Sequence, residues 1–332
     1  MNPKAIALLS GGLDSTLALR LILDQGIEVE ALNFVTPFCN CNRGGEGCAA
    51  KHVADALDVP CKTIAVTDEF FRVIKNPRYG YGSGMNPCLD CRILMFSRAR
   101  ERMEEIGAAF VFTGEVLGQR PMSQHRRAMR TIERESGLTG RLLRPLSAQL
   151  LEPTIPEEEG LVDREKLLAL QGRSRRPQMT LAEEHSITDY PCPAGGCLLT
   201  DISFAQRMRD LIRFRPDFCL NDVNLLKVGR HFRLSPGVKV VVGRNEEENH
   251  RLQHLARQGD LLFEVKNYGS PITLLRGKAD EGESVLAAAI TARYSDAEGD
   301  VVQVSWGTDC AALNKIILTL PLEEDELTQL RI

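Results

Sequence analysis

Six consecutive residues near the start of the chain, Ser10-Gly11-Gly12-Leu13-Asp14-Ser15, combine what a polyphosphate site needs. Glycines permit a tight turn and let backbone N–H groups approach phosphate oxygens; serine hydroxyls add donors, and a helix starting there presents its positive end. The loop has no lysine of the Walker type, so it is not that of an ordinary NTPase. Asp14 is an anion in an anion site, which makes sense for a carboxylate that holds Mg²⁺ rather than phosphate. A plain glycine-rich turn is the competing explanation, and all six positions in register argue against it.

The second chemical set is sulfur. Of ten cysteines, Cys39, Cys41 and Cys48 form one cluster, Cys88 and Cys91 a second, and Cys192 and Cys197 a third. Clustered cysteines in a chain without a secretory signal point to metal or redox chemistry rather than to disulfide staples. The Cys88-x-x-Cys91 pair, just before a helix, can direct both sulfurs at one metal. Cys197, or Cys192, can complete the set, and three or four thiolates suit an iron–sulfur cluster or a structural zinc. Cys39, Cys41 and Cys48, among Gly44, Gly45 and Gly47, would allow a second metal site, a sulfur-relay loop or ordinary loop cysteines. Cys61, Cys219 and Cys310 stand alone in apolar contexts and are expected in cores.

Alternating elements must position these residues. Apolar strands are expected at 4–9, 28–35, 61–66 and 109–113, with helices at 14–25, 47–58 and 89–106. That βαβα pattern predicts an α/β fold with a doubly wound parallel sheet. Ligands of such sheets bind beyond the carboxyl ends of the strands, where the Ser10–Ser15 loop, the Cys39–Cys48 loop and Thr113-Gly114-Glu115 would all fall. Short helices are expected at 163–171 and 178–186, and a longer one at 201–214. From about 231 the pattern changes to short strands (238–242, 261–266, 271–275, 301–305) with helices at 246–257 and 282–294, a smaller C-terminal α+β domain. The expected division is 1–150, a connecting segment 151–230, and 231–332, with the boundary within 220–235. No apolar run is long enough to span a membrane and no signal peptide is legible, so a cytoplasmic protein is expected.

The net charge of −4 conceals a basic middle. Arg120, Arg126, Arg127, Arg130, Arg134, Arg141 and Arg144 face only Glu133 and Glu135 over the same stretch, and Arg207, Arg209, Arg213 and Arg215 form a second run. Such patches can bind a polyanion even on an acidic protein, although a solvated helix face would read the same way. His125, beside Arg126, could touch phosphate; His52 reads as a surface histidine.

The Ser-Gly-Gly-x-Asp-Ser loop resembles the signature of the PP-loop ATP pyrophosphatase superfamily. Phe112-Thr113-Gly114-Glu115-Val116-Leu117-Gly118-Gln119 with Ser123-Gln124, and Arg144-Pro145-Leu146, resemble tRNA 4-thiouridine synthetases. Asn86-Pro87-Cys88-Leu89-Asp90-Cys91-Arg92 and Gly195-Gly196-Cys197-Leu198-Leu199 are similar to segments of tRNA 2-thiouridylases. Val242-Gly243-Arg244-Asn245-Glu246-Glu247-Glu248-Asn249 and Asp260-Leu261-Leu262-Phe263-Glu264-Val265-Lys266 resemble an NFACT-R-type RNA-binding domain, though with Leu262 and Glu264 where that family carries an aromatic and a histidine.

The resemblance implies adenylation of a base oxygen by ATP, followed by its replacement with sulfur. It implies ATP and Mg²⁺ at Ser10, Gly11, Gly12, Asp14, Ser15, Asn33, Thr113, Gly114 and Gln119, and catalytic roles for Asp14, Cys91 and Cys197. A 4Fe–4S cluster on Cys88, Cys91 and Cys197, or a persulfide on two of these cysteines, would carry the sulfur. No rhodanese-like segment is legible, which favours the cluster. The implied partners are tRNA or another RNA and a sulfur donor, with neither a membrane nor DNA. The rivals are a PP-loop enzyme acting on a small molecule and an RNA-binding module with a vestigial nucleotide site.

Overall fold

The structure, a computed structural model, describes residues 3–39, 49–185, 187, 196–309 and 313–332. It divides into two compact units, Met1–Thr200 and Asp201–Ile332.

In the first unit, β1 (Lys4–Leu8) leads through the serine–glycine loop into α1 (Leu13–Leu23), followed by β2 (Glu28–Val35), α2 (Ala49–Ala56), β3 (Cys61–Ala65) and α3 (Thr67–Lys75). Next come α4 (Cys88–Glu105), β4 (Phe110–Thr113), α5 (Arg126–Glu135), β5 (Leu142–Leu143), α6 (Ile155–Glu158) and α7 (Arg176–Glu184). The strands form one sheet in the order β3-β2-β1-β4-β5, and every pair is parallel. Winding runs outward from β1 in one direction through β2 and β3, then in the other through β4 and β5. The switch in direction opens a crevice beside the carboxyl end of β1.

Central strands covered on both faces need continuous apolar sequence. Ala5, Ala7, Phe110 and Phe112 pack with Leu17 and Leu19 of α1 on one face, while Ile6 and Val111 pack with Phe96, Ala99 and Met103 of α4 on the other. Arg102 grips Glu30 of β2 through two bonds of 2.7 and 3.0 Å, fixing the far end of α4 to the sheet. Gly26, with φ +74°, supplies the left-handed turn after α1.

The helix expected at 163–171 does not form. Only a single 3₁₀ turn, Arg164–Lys166, is present. The leucines beyond it are drawn out by long-range backbone bonds, Leu168 N to Pro145 O at 2.9 Å and Leu170 N to Leu146 O at 2.8 Å. Leu167 is buried in the sheet's core, so tertiary pairing overrides the local helical spacing.

The second unit contains α8 (Ile202–Phe214), α9 (Leu220–Leu225), β6 (Arg230–Ser235), β7 (Val238–Val242), α10 (Glu246–Leu255), β8 (Leu261–Val265) and β9 (Thr273–Arg276). It closes with α11 (Glu281–Arg293), β10 (Val302–Gly307), β11 (Lys315–Thr319) and α12 (Glu324–Leu330). Its six strands are antiparallel in the order β11-β10-β8-β9-β7-β6. β6, β11 and α12 carry no strong periodic signal and were not expected from sequence. The second compact unit takes in α8 and α9 as well as the sheet, because both helices are tied to it by charge. Asp210 of α8 pairs with Arg233 at 2.5 Å and Lys239 at 3.4 Å, and Asp222 of α9 pairs with Arg276 at 3.0 Å. Among the described residues no helix is long and apolar enough to cross a membrane.

Candidate functional site

The nucleotide-type loop is built by three neighbouring chain segments. Leu8 pairs with Thr113 across the central strands, so Gly114 lands on the first turn of α1. A Cβ on Gly114 would lie 2.5 Å from the Asp14 carbonyl and the Ser15 nitrogen, a clash only glycine escapes. Gly11 adopts φ +75° and is equally tight against the backbone of Ala49. Gly12, in contrast, would place a Cβ near nothing closer than the Ser10 hydroxyl at 3.5 Å, so its outer side is open.

The Ser15 hydroxyl donates to Gly12 O at 2.8 Å and lies 3.1 Å from the Ser10 hydroxyl, which sets the curvature of the loop. Gly12 offers no side-chain cap, so the first-turn N–H groups of α1 remain for a ligand. Leu9 N bonds to Leu32 O at 2.9 Å, bringing buried Asn33 level with the start of the loop.

Asp14 is split in its bonding. Its Oδ2 accepts from Gln119 Nε2 at 3.0 Å, while its Oδ1 is buried with no hydrogen-bond donor. A buried carboxylate oxygen left without a partner is costly, and a cation would satisfy it. The donor set therefore fits Mg²⁺ at Asp14.

The cysteines are gathered by a separate clamp. Leu198 N bonds to Phe38 O at 3.0 Å and Met85 N bonds to Leu199 O at 2.8 Å, joining three segments that are far apart in sequence. Gly84 is required there, since a Cβ would meet Leu199 O at 2.2 Å. Phe38 is fully buried with its ring 5.5 Å from Phe70 and 6.3 Å from Phe71. Cys91 N closes the first turn of α4 onto Pro87 O at 2.8 Å, and buried Asn86 donates from Nδ2 to Cys88 Sγ at 3.1 Å.

Cys88, Cys91 and Cys197 are thereby brought together, and Cys39, assigned from sequence to a separate loop, joins them. Burial pushes the Cys91 thiol up to about 12; positive Arg92 opposes this, while charge on Cys197, Cys88 and Cys39 adds to it. Burial likewise pushes Cys197 up to about 12, with Cys39 and Cys88 contributing. Without a bound cation these two sulfurs stay protonated at neutral pH. Among the described residues no three His, Cys, Asp or Glu side chains are gathered as a single metal ion requires. Cys39, Cys88, Cys91 and Cys197 are close enough for charge on Cys39 and Cys88 to act on both Cys91 and Cys197.

Two arginines connect the loop to the sulfurs. Arg92, from the first turn of α4, lies 3.5 Å from Glu115 Oε1. Arg120 keeps solvent contact at the edge of the crevice. Desolvation lowers its pKa first, then the charge of Arg92, against the opposing pull of Cys88, Glu115 and Asp14. It is thus electrostatically coupled to both halves of the site. Glu115 is held by Arg144 at 3.2 Å, with both side chains buried.

The basic stretch divides accordingly. Arg144 is a buried structural cation and Arg120 belongs to the crevice, whereas Arg130 and Arg134 pair with Glu152 and Glu135 at 2.5 and 3.1 Å. Arg126 and Arg127 are exposed on the first turn of α5 and form no ion pair with the described residues. His125 caps that helix, its Nδ1 accepting from Ala128 N at 3.3 Å, and His52 is exposed.

Cys61, half-buried at the head of β3, packs against the core of the first unit, whereas Cys219 is exposed, contrary to its expected core placement. Cys219 starts α9, where its backbone N–H, rather than apolar packing, fixes it, donating to Asp222 at 3.0 Å. Cys41, Cys48, Cys192, Gly195 and Cys310 lie outside the described residues. Sequence reasoning missed Asn86, Arg92 and the grouping of Cys39. Only Asn86 and Arg92 had a signal, their adjacency to the Cys88–Cys91 pair.

Each unit has its counterpart among known proteins. Residues 3–136 match the family model of the tRNA methyl transferase HUP domain, and residues 229–331 that of the NFACT protein RNA binding domain. A tRNA-specific 2-thiouridylase of Caldanaerobacter subterraneus is 28% identical over 131 residues, covering 35% of this chain and 36% of that protein. A probable tRNA sulfurtransferase of Methanosarcina acetivorans is 31% identical over 121 residues, covering 34% of this chain and 28% of that protein. The chain thus spans about a third of the length of these curated relatives. A solved 4-thiouridine synthetase–RNA complex with bound ATP is 23% identical, with a TM-score of 0.34 over 57% of this chain and 54% of that one.

Proposed function

We propose that this chain is an ATP-dependent sulfurtransferase acting on a uridine of tRNA; the match of residues 3–136 to the tRNA methyl transferase HUP domain and of residues 229–331 to the NFACT protein RNA binding domain supports this reading. The observation that carries the reading is that residues 119–122 touch both halves: Gln119 donates to Asp14 at 3.0 Å, and Met122 lies 3.5 Å from the Asn86 amide that also donates to Cys88. An enzyme that adenylates a base and then delivers sulfur to the same carbon needs its phosphate loop and its thiols on one substrate.

The loop N–H groups and the Ser10 and Ser15 hydroxyls receive the ATP phosphates, and Asp14, oriented by Gln119, would hold Mg²⁺, which would supply positive charge for the phosphates. The carbonyl oxygen of the base attacks the α-phosphorus and pyrophosphate leaves with the electron pair of the broken bond, its charge stabilised by the loop N–H groups and hydroxyls. Sulfur then attacks the activated carbon and AMP departs with the oxygen. Arg120 offers positive charge to the phosphate in both steps. A 4Fe–4S cluster held by Cys88, Cys91 and Cys197 would supply an iron that presents inorganic sulfide. Arg126 and Arg127 support the RNA reading, since two cations in the first turn of a helix oppose its dipole and do not serve its stability.

The test is product analysis of anaerobically purified protein with unmodified tRNA, together with nucleoside mass spectrometry of tRNA from a strain lacking the protein. The reading expects AMP and pyrophosphate, and one thiouridine missing from the deletion strain. ADP and phosphate as products, or an unchanged nucleoside profile, would overturn it. Colourless protein, fully active in air and trapping a Cys91–Cys197 disulfide, would replace the cluster by persulfide chemistry.

A further inference from the structure

The second unit holds a small cavity that the proposed reaction does not use. Its volume is about 60 Å³, and it lies between the last turn of α8, the end of α9 and the turn that joins β6 to β7. One water molecule occupies about 30 Å³ of liquid, so the space suits a single small oxoanion rather than a larger organic ligand.

The lining is positive. Arg215, Arg233, Lys239 and Arg276 line the cavity against one carboxylate, Asp222. The carboxylates behind the wall do not restore the balance. Asp210 pairs with Arg233 and Lys239, Asp222 with Arg215, Arg257 and Arg276, and Asp260 with Arg276. Five cations therefore share three carboxylates.

Arg276 has no donors to offer, because Asp260, Asn221, Asp222 and Leu255 O take them all. The other three cations keep donors in hand. Lys239 is 7% exposed, and its ammonium has three N–H groups but makes one hydrogen bond among the described residues, to Asp210 at 3.4 Å. Arg233 commits Nε and Nη2 to Asp210 at 3.0 and 2.5 Å and keeps Nη1, its guanidinium held 4.8 Å over the Phe214 ring. Arg215, the most exposed of the four, stands 3.8 Å from Asp222, and its side chain makes no hydrogen bond among the described residues. A buried ammonium with idle donors is costly, and an anion would satisfy it.

We infer that this cavity binds one phosphate group, held by Lys239 Nζ, Arg233 Nη1 and the Arg215 guanidinium. The inference goes beyond the proposed sulfur transfer and does not rest on it. Burial pushes Lys239 down to about 8, with Asp210 pulling the other way. A phosphate beside it adds the second negative charge that keeps the ammonium protonated. Free phosphate and the phosphodiester of an RNA backbone share this chemistry.

Trp306 is the only tryptophan of the chain and lies in β10, so its fluorescence follows the unfolding of this unit rather than events at the serine–glycine loop. Full-length wild type, Lys239→Met and Arg215→Gln are unfolded in urea, once in sodium chloride and once in inorganic phosphate of the same ionic strength. A ligand that binds only the folded unit raises the midpoint, whereas general salting effects raise it alike in all three proteins. The expected result is a phosphate-dependent rise in wild type at least three times that in either variant. Arg215→Gln removes a half-exposed side chain and no buried one, so it keeps the test decisive if Lys239→Met does not fold. A wild type whose midpoint rises no more than that of either folded variant overturns the site. Dimethyl phosphate, a diester with one negative charge, then identifies the source. If it reproduces the rise, the site takes an RNA backbone phosphate; a rise with inorganic phosphate alone assigns it to free phosphate.

Discussion

At the scale of single residues, the site depends on packing with no slack. Gly114 is pressed onto the backbone of the first turn of α1, so Gly114→Ala must push the helix away from the strand end. The expected cost is about 1–3 kcal/mol of stability by urea denaturation, together with a fall of at least tenfold in kcat/KM for ATP. A variant with normal ATP kinetics would show that this close approach does not set the loop. The Glu115–Arg144 pair is a second such point, with side chains 2% and 4% exposed. Arg144→Met leaves a buried carboxylate with Arg92 alone, and about 3–5 kcal/mol should be lost. The double variant with Glu115→Leu should recover most of that loss, because no unpaired charge is left buried. If the double variant is no more stable than Arg144→Met, the pair is not the source of the cost.

At the scale of elements, α5 separates structural cations from candidate binding cations within one basic run. Arg126 and Arg127 are exposed at its N-terminal turn and unpaired among the described residues. Reversing both to glutamate places negative charge at the positive end of the helix, so stability should hold or rise by a few tenths of a kcal/mol. RNA binding should weaken, and the slope of log affinity against log salt should flatten by about 0.7–0.9 for each phosphate that is no longer neutralised. Electrophoretic mobility shifts with tRNA at several salt concentrations provide the measurement. An unchanged slope would remove α5 from the RNA surface and favour the small-molecule rival.

At the scale of the whole molecule, the second unit carries a buried cation with a legible pH signature. Lys239, within the fully covered strand β7, is pushed down to about 8 by burial, with Asp210 pulling in the opposite direction. In the unfolded chain it titrates near 10.5. Between these values the folded protein has released a proton that the unfolded chain still holds, so stability rises with pH across that window. Below about 8 both states are protonated, the slope vanishes and the full penalty remains. The whole rise is bounded at about 3 kcal/mol. Lys239→Met should flatten it, read as the urea midpoint of this unit from pH 7.5 to 10.5, while Arg233 keeps Asp210 paired. A wild type with no excess slope over the variant would show that Lys239 is already neutral or solvated in the fold.

The sequence by itself determined the parallel sheet, the phosphate-type loop and the helix that starts at Cys88. Each is written in a short window: apolar runs such as Ala5-Ile6-Ala7-Leu8, glycines beside serines, and a Cys-x-x-Cys pair behind a proline. The same is true of β7 to β10, whose apolar runs are local signals. The grouping of cysteines was not legible in this way. That Cys39 stands with Cys197 follows from a hydrogen bond between Phe38 and Leu198 and from the burial of one phenylalanine ring, neither of which leaves a mark on spacing. Arg144 and Arg126 look alike in a charge count, and only pairing with the buried Glu115 carboxylate makes one a buried partner while the other stays in solvent. The leucines after Arg164 had helical spacing and became extended because carbonyls from Pro145 and Leu146 reached them first. Short-range patterns fix which elements form, whereas the chemistry of the site depends on which distant side chains the packed elements bring to the same edge.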